Sequence, residues 1–302
     1  MKRLLLICGL LLLGSCDDGI HIGKLQAVWG RRGLDDGQFQ KPRAMTIDGK
    51  DLLYIVDMTA RIQVFTPDGH FIRKWQTPAH EAGKPTGLAI GRDGNVLVAD
   101  THYYRMLVYS PEGALLWKLG GKLGQKPGEF GFVTGVAQDS QGNYYVSEYG
   151  DFDRVQKFTA KGKFIRQWGG HGSEPGQFIR PQKLAFDEDE HLWVADACNH
   201  RIQVFDTEGK LLRCWGKQGG AAGELYYPYD LALGPHQTIY VCEFGNHRVQ
   251  KFTRDGRSLG CWGSQGRDPG QLYNPWALVR DSHGIVHVLD TNNHRVQSVR
   301  ME

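Results

Sequence analysis

Short apolar runs of four to six residues, rich in Val, Ile, Leu, Phe and Tyr, recur along the chain between clusters of Gly, Pro, Asn and Asp. Inside a run the apolar residues either alternate with polar ones or fill it completely, as in strands with one or both faces covered. No segment sustains the 3.6-residue period of a helix, and Gly-rich stretches such as GGHGSEPG at 169–176 break every unit. The region around Arg201 is a clear specimen, with strands a to d predicted at 181–186, 191–195, 201–205 and 210–215. Between c and d stands Glu208-Gly209, and Asp68-Gly69, Glu112-Gly113, Lys161-Gly162 and Asp255-Gly256 occupy the matching places. A tight hairpin needs a residue tolerant of positive φ there, so the units are antiparallel hairpins rather than βαβ crossovers.

The c strand exposes the repeat: RIQVF at 61–65, RMLVY at 105–109, RVQKF at 154–158, RIQVF at 201–205, RVQKF at 248–252 and RVQSV at 295–299, at intervals of 44, 49, 47, 47 and 47 residues. A period of that size means repeated units stacked side by side. A Trp closes strand d at Trp75, Trp117, Trp168, Trp215 and Trp262, but the sixth unit runs out at Glu302 without a strand d. Residues 24–30 carry Trp29-Gly30 in the same form as Trp168-Gly169, Trp215-Gly216 and Trp262-Gly263. This N-terminal strand is predicted to pair with 295–299 and close the ring, covering the edge that an open array would leave free. The expected fold is all-β: a six-bladed β-propeller with four antiparallel strands per blade, one domain over 24–302.

The elements ADACNHRIQVF at 195–205, CEFGNHRVQKF at 242–252 and LDTNNHRVQSV at 289–299 resemble NHL-repeat propellers, and the likeness extends over about all of the chain beyond the leader. It implies the fold and little about function, because propellers host many unrelated activities.

The N-terminus has Lys2 and Arg3, the apolar run 4–13, then Gly14-Ser15-Cys16 and Asp17-Asp18. The run is too short to span a bilayer as a helix and has the anatomy of a secretory signal. Leu13-Gly14-Ser15-Cys16 resembles the lipobox of bacterial lipoproteins, which implies a signal peptide at 1–15, a lipid on Cys16, a tether at 16–23 and a propeller standing in water beside a membrane of the cell envelope. Asp17 resembles the residue that retains such proteins at the inner membrane in enteric bacteria, which implies its periplasmic face where that rule holds. Removing Lys2 and Arg3 takes the formal charge from +3 to +1, so no whole-surface field for nucleic acid exists, and no nucleic-acid partner is expected. Of the four remaining cysteines, Cys214 and Cys261 hold equivalent places on successive units, too far apart for a disulfide. Most are read as small buried residues, with Cys198 to Cys242 as the one bridge left open.

Each b to c loop is preceded by a carboxylate (Asp57, Asp100, Glu148, Asp196, Glu243, Asp290) and followed by the repeat Arg. A feature present in every unit is what packing demands, so these groups, His200, His247, His294 and the Trp series are read as scaffold. A site is expected where the repeat breaks. Aligned on the start of strand a, the residues entering the channel are Arg43, Thr86, Thr134, Gln182, Tyr229 and Trp276, joined by Lys183 and Asp230 one step on. Arg43 with Tyr229 and Trp276 suits a ligand with a flat or apolar body and an anionic or hydroxyl-bearing part, or else the rings plug the channel. The atypical b to c loops add His102, Tyr104 and Asp151 as exposed candidates for a protein or glycan surface.

Peptidyl-hydroxyglycine amidating lyase is a related six-bladed propeller whose zinc is held by histidines following the strand a proline. Here those places are Gln182, Tyr229 and Trp276, so the resemblance implies the fold without the zinc ligands. A calcium site in the channel would find only Asp230 in the ring. No catalytic residue, metal or cofactor is therefore assigned. The first reading is a membrane-anchored module that holds a protein, peptide or glycan of the envelope, and the second is a hydrolase or lyase working in the channel.

Overall fold

A computed structural model describes residues 20–302 of the chain, so the predicted signal peptide and Cys16 lie outside the described residues. The described residues form six four-stranded antiparallel sheets, each running a-b-c-d outward. Blades 1 to 5 occupy 44–76, 87–120, 132–169, 181–215 and 228–262. Blade 4 comprises Pro181–Phe186, Leu192–Asp196, Arg201–Phe205 and Leu211–Trp215, within a residue of the strands read from the pattern. Blade 6 takes strands a to c from Ala277–Arg280, Ile285–Asp290 and Arg295–Arg300 and its strand d from Lys24–Trp29, with Trp29 opposite Val296. The ring closes through the N-terminal strand, as its Trp-Gly signature requires.

Each hydrophobic cluster lies between two neighbouring blades rather than inside one. Val56 and Ile62 of blade 1 pack with Val98 and Leu107 of blade 2, and Leu289 and Val296 of blade 6 pack with Ile55 and Phe65 of blade 1. A single sheet could not cover its own faces; stacking supplies the core. The strand d Trp and the c to d Gly are one device. Gly209 has φ +82°, and a Cβ there would lie 2.6 Å from the Trp168 ring of the preceding blade. After Trp262 no c to d turn follows, and Gly23 of the N-terminal segment takes that place, its Cβ position 2.9 Å from the indole. The end of the predicted tether is thus seated rather than hanging free: Ile22 N–H donates to the Cys261 carbonyl and Cys261 N–H to that of Ile20, both at 2.9 Å.

The Arg-x-Gln repeat is a clamp on the d to a loop. In blade 4 Arg201 Nε donates to Asp196 at 2.8 Å while its terminal nitrogens donate to the carbonyls of Ser173, Glu174 and Gln177. Gln203 adds donations to Gln177 O and Asp196 and accepts from Gly176 N–H. The same acid–Arg pair recurs as Asp57–Arg61, Asp100–Arg105, Glu148–Arg154, Glu243–Arg248 and Asp290–Arg295, in line with the scaffold reading. The three histidines before the repeat Arg latch the next blade. Nδ1 of His200, His247 and His294 accepts the N–H of Tyr227, Asn274 and Lys41 at 3.1, 2.9 and 3.0 Å, and burial pushes all three imidazoles below their ordinary range.

Three b to c loops contain a single 3-10 turn (Thr101–Tyr103, Ala197–Asn199 and Thr291–Asn293), too short to leave a period in the sequence. Cys198 and Cys242 are separate thiols rather than a bridge, and Cys214 is exposed, because strand d is outermost and alternate side chains face solvent. Its counterpart Cys261 is buried, covered where residues 20–22 pair with it.

Candidate binding site

The irregular ring converges as its placement at the start of strand a dictates. Arg43, Thr86, Thr134, Gln182, Tyr229 and Trp276, with Lys183 and Asp230, line the central channel. Little room is left between them: the free space is about 10 Å³, enough for one water. Most of the polar groups there are already satisfied. Lys183 Nζ lies 3.2 Å from Asp230 Oδ1, and Asp230 also accepts the N–H groups of Leu231 and Leu278. Burial pushes the Asp230 carboxyl up, against the pull of Lys183. Thr134 donates to the Pro181 carbonyl, and the hydroxyls of Thr86 and Thr101 are 2.7 Å apart. The exceptions are Gln182, 4% exposed with neither amide atom bonded, and the Trp276 indole N–H, buried without an acceptor.

Above this plug the mouth is aromatic and cationic. The Tyr229 ring stacks on Phe244 at 4.6 Å and meets the edge of Trp276 at 4.9 Å. Arg43 lies over Trp276 at 5.3 Å, and Arg180 lies 4.9 Å from Tyr149 and 5.4 Å from Tyr229. Burial, and then the charge of Arg180, hold the Arg43 guanidinium below its ordinary value. Among the described residues neither side chain has an ion-pair partner, and Arg180 Nε is buried without an acceptor. Arg180 is placed by the d to a loop, where it adopts φ +60°, its N–H donates to the Asp153 carboxylate at 2.7 Å and its carbonyl accepts from Ala197 N–H.

Arg180 and Phe244 escaped the sequence reading. The column before the strand a proline, Lys41, Lys84, Phe132, Arg180, Tyr227 and Asn274, departs from the repeat as much as the column after it, and would have pointed to Arg180. Phe244 sits inside the repeat element CEFGNHRVQKF, where nothing in the sequence sets it apart from scaffold.

The loop candidates divide. His102 is half-buried, its ring packed on Phe132 at 5.5 Å and against Gly83, and Tyr104 packs on the same Phe132. Tyr103 instead reaches the d to a loop, its hydroxyl accepting Ala82 N–H at 2.9 Å. Asp151 is exposed and lines a separate groove of about 360 Å³ with Gln125, Phe152 and His171. The places of the lyase histidines offer an amide, a phenol and an indole, which do not fit zinc. On the opposite face Asp187, Asp189 and His191 approach one another, but Asp187 is spent on the N–H groups of Asp189 and His191 and on Trp193 Nε1.

The NHL repeat family model matches residues 178–205 and 225–252, strands a to c of blades 4 and 5. The chain is 39% identical over 128 residues to peptidyl-glycine alpha-amidating monooxygenase of Mus musculus, covering 39% of this chain and 13% of that protein. It is 29% identical over 163 residues to NHL repeat-containing protein 3 of Homo sapiens, covering 48% and 45%. It therefore spans less than half the length of either. Virginiamycin B lyase from Staphylococcus aureus superimposes with a TM-score of 0.65 at 15% identity, covering 93% of this chain and all of that one, a likeness of fold. The chain is a six-bladed β-propeller in which blades 4 and 5 match the NHL repeat and the acid–Arg pair recurs in all six blades.

Proposed function

We propose that the chain is an extracytoplasmic binding module, anchored to a membrane through a lipidated Cys16, that holds a protein, peptide or glycan of the cell envelope on the face bearing its d to a and b to c loops. The observation that carries this reading is the contrast along the axis. The channel has room for about one water, whereas its mouth offers Tyr149, Tyr229 and Trp276 beside two guanidiniums. Rigid aromatic anchors next to Arg are the composition that dominates recognition surfaces.

The test is chemical cross-linking in cells that express the tagged full chain, followed by denaturing purification. Tyr149→Ala with Trp276→Ala is expected to lower the partner's yield by about tenfold or more, since central aromatic anchors contribute upward of 2 kcal/mol. Lys50→Ala with Asp189→Ala on the opposite face leaves it unchanged. Equal yields from both variants, each folded by thermal melting, overturn the reading.

The 128-residue stretch shared with an amidating enzyme favours a second reading, a lyase or hydrolase in the channel. Elemental analysis after dialysis against zinc decides between them. The binding module retains no stoichiometric zinc; one zinc per chain with a raised melting temperature puts the lyase first.

A further inference from the structure

We propose that Arg43 and Arg180 form an oxyanion site, which holds a carboxylate or phosphate borne on a flat or apolar body. The inference rests on the reading of this face as the binding face and names the chemistry it selects. The repeat arginines are all paired: Arg61, Arg105, Arg154, Arg201, Arg248 and Arg295 each have a carboxylate within 3.0 Å. In the channel itself Lys183 has Asp230. At the mouth two guanidiniums flank one Tyr229–Trp276 pair and have only each other. Partly desolvated like charges over the two rings of one aromatic pair raise the energy of the free protein, and an anion bound beside them lowers that cost.

The neighbouring carboxylates do not serve. Asp230 is neutralised by Lys183, and Asp153 is bonded to His171 at 2.6 Å and to the backbone N–H of Arg180. His102, a further titratable neighbour of Arg43, is an imidazole and adds no negative charge. Guanidinium forks take planar carboxylate and phosphate oxygens two at a time. Beside the guanidiniums the half-buried rings of Tyr149 and Trp276 form walls for a ring or apolar chain, while Gln182 stays buried and unbonded in the channel lining below. The channel below has room for about one water, so the oxyanion is held at the mouth and not inside the channel.

Calorimetric titration of the full chain in detergent, with N-acetylphenylalanine, its amide, acetate and inorganic phosphate, tests the proposal. The acid is expected to bind one per chain and the amide at least about tenfold more weakly, the loss of one charge-assisted contact. Arg43→Gln and Arg180→Gln each weaken the acid by about tenfold or more, and the Lys variants recover part of it, with folding checked by thermal melting. Phosphate binding more tightly than N-acetylphenylalanine points to a phosphoryl ligand, and the reverse order to a carboxylate; either supports the site. No anion bound at about 10 mM, an amide equal to the acid, or Arg180→Gln without effect overturns it. If anions fail while cross-links still depend on the mouth, the oxyanion site alone falls. If anions bind but no cross-link depends on the mouth, it is the wider reading that falls.

Discussion

Replacing Arg201 by Met removes the charge and the donors of the blade 4 clamp and leaves an apolar stem of similar length. Asp196, fully buried, then keeps the N–H of Ile179 at 2.9 Å and the amides of Asn199 and Gln203 at 2.9 and 3.1 Å, but no counter-charge. Breaking a buried ion pair from one side costs about 3–5 kcal/mol. The three surviving hydrogen bonds place this case at the lower end, about 3 kcal/mol. With an unfolding entropy of about 2.1 cal/mol/K per residue, that is a fall of about 5 °C in melting temperature for a domain of this size. Urea unfolding followed by tryptophan fluorescence reads it, since Trp168 and Trp215 close the blades on either side of the clamp. Hydrogen exchange gives a local readout: amides over 172–178 exchange faster once the carbonyls of Ser173, Glu174 and Gln177 lose their donors. Adding Asp196→Asn to Arg201→Met removes the stranded charge and recovers about 1–2 kcal/mol. A loss below about 1 kcal/mol for Arg201→Met, or strict additivity in the double variant, refutes the clamp as a coupled unit.

Acid sensitivity follows from five imidazoles, of which His102 is lowered by burial like the four scaffold histidines. Burial lowers His200, His247, His294 and also His287, whose Nε2 lies 3.1 Å from Asp281. The unfolded chain takes up these protons near pH 6.5 while the folded chain resists, so stability falls as pH drops below about 6.5 until the lowered folded values are passed. His287→Tyr, the residue that meets the matching acid as Tyr54 and Tyr145, is expected to flatten that slope; a urea midpoint equal at pH 7.5 and 5.5 contradicts the idea. Gly209→Ala meets both a positive φ and the Trp168 ring and is expected to cost about 2–4 kcal/mol, whereas Gly176→Ala, with φ +88° and open space, costs about 1 kcal/mol. Equal losses in the two would remove the Trp–Gly packing argument. Deleting residues 1–30 takes strand d from blade 6 and bares Arg295–Arg300 as an edge, so aggregation is expected; deletion of 1–19 leaves a monomeric fold by size-exclusion chromatography.

The propeller was legible because its unit is local: every strand, the c to d glycine and the acid–Arg pair recur at a nearly fixed interval, and each copy confirms the others. Even ring closure could be read, from the stray Trp29-Gly30 at the wrong end of the chain. The ring at the start of strand a was also legible, since Arg43, Gln182, Tyr229 and Trp276 depart from the repeat in one column and the fold brings that column together. What sequence spacing could not supply was contact between loops of different blades. Arg180 meets Tyr229, a residue of the next blade, and His102 turns inward under Gly83 instead of outward, because its own d to a loop folds over it. Cys214 and Cys261 occupy the same column yet differ in exposure, because residues 20–22 cover only one of them.

The central claim is that partners are held on the face where the repeat breaks, above a filled channel. Site-specific incorporation of a photo-crosslinking residue measures this directly, with Asp151 and Tyr227 on the mouth face and Lys50 and Asp189 on the a to b turn face. Irradiation of intact cells is expected to give discrete adducts of one partner from positions 151 and 227 and none from 50 and 189. Adducts only from positions 50 and 189, or equally from all four, would contradict the account.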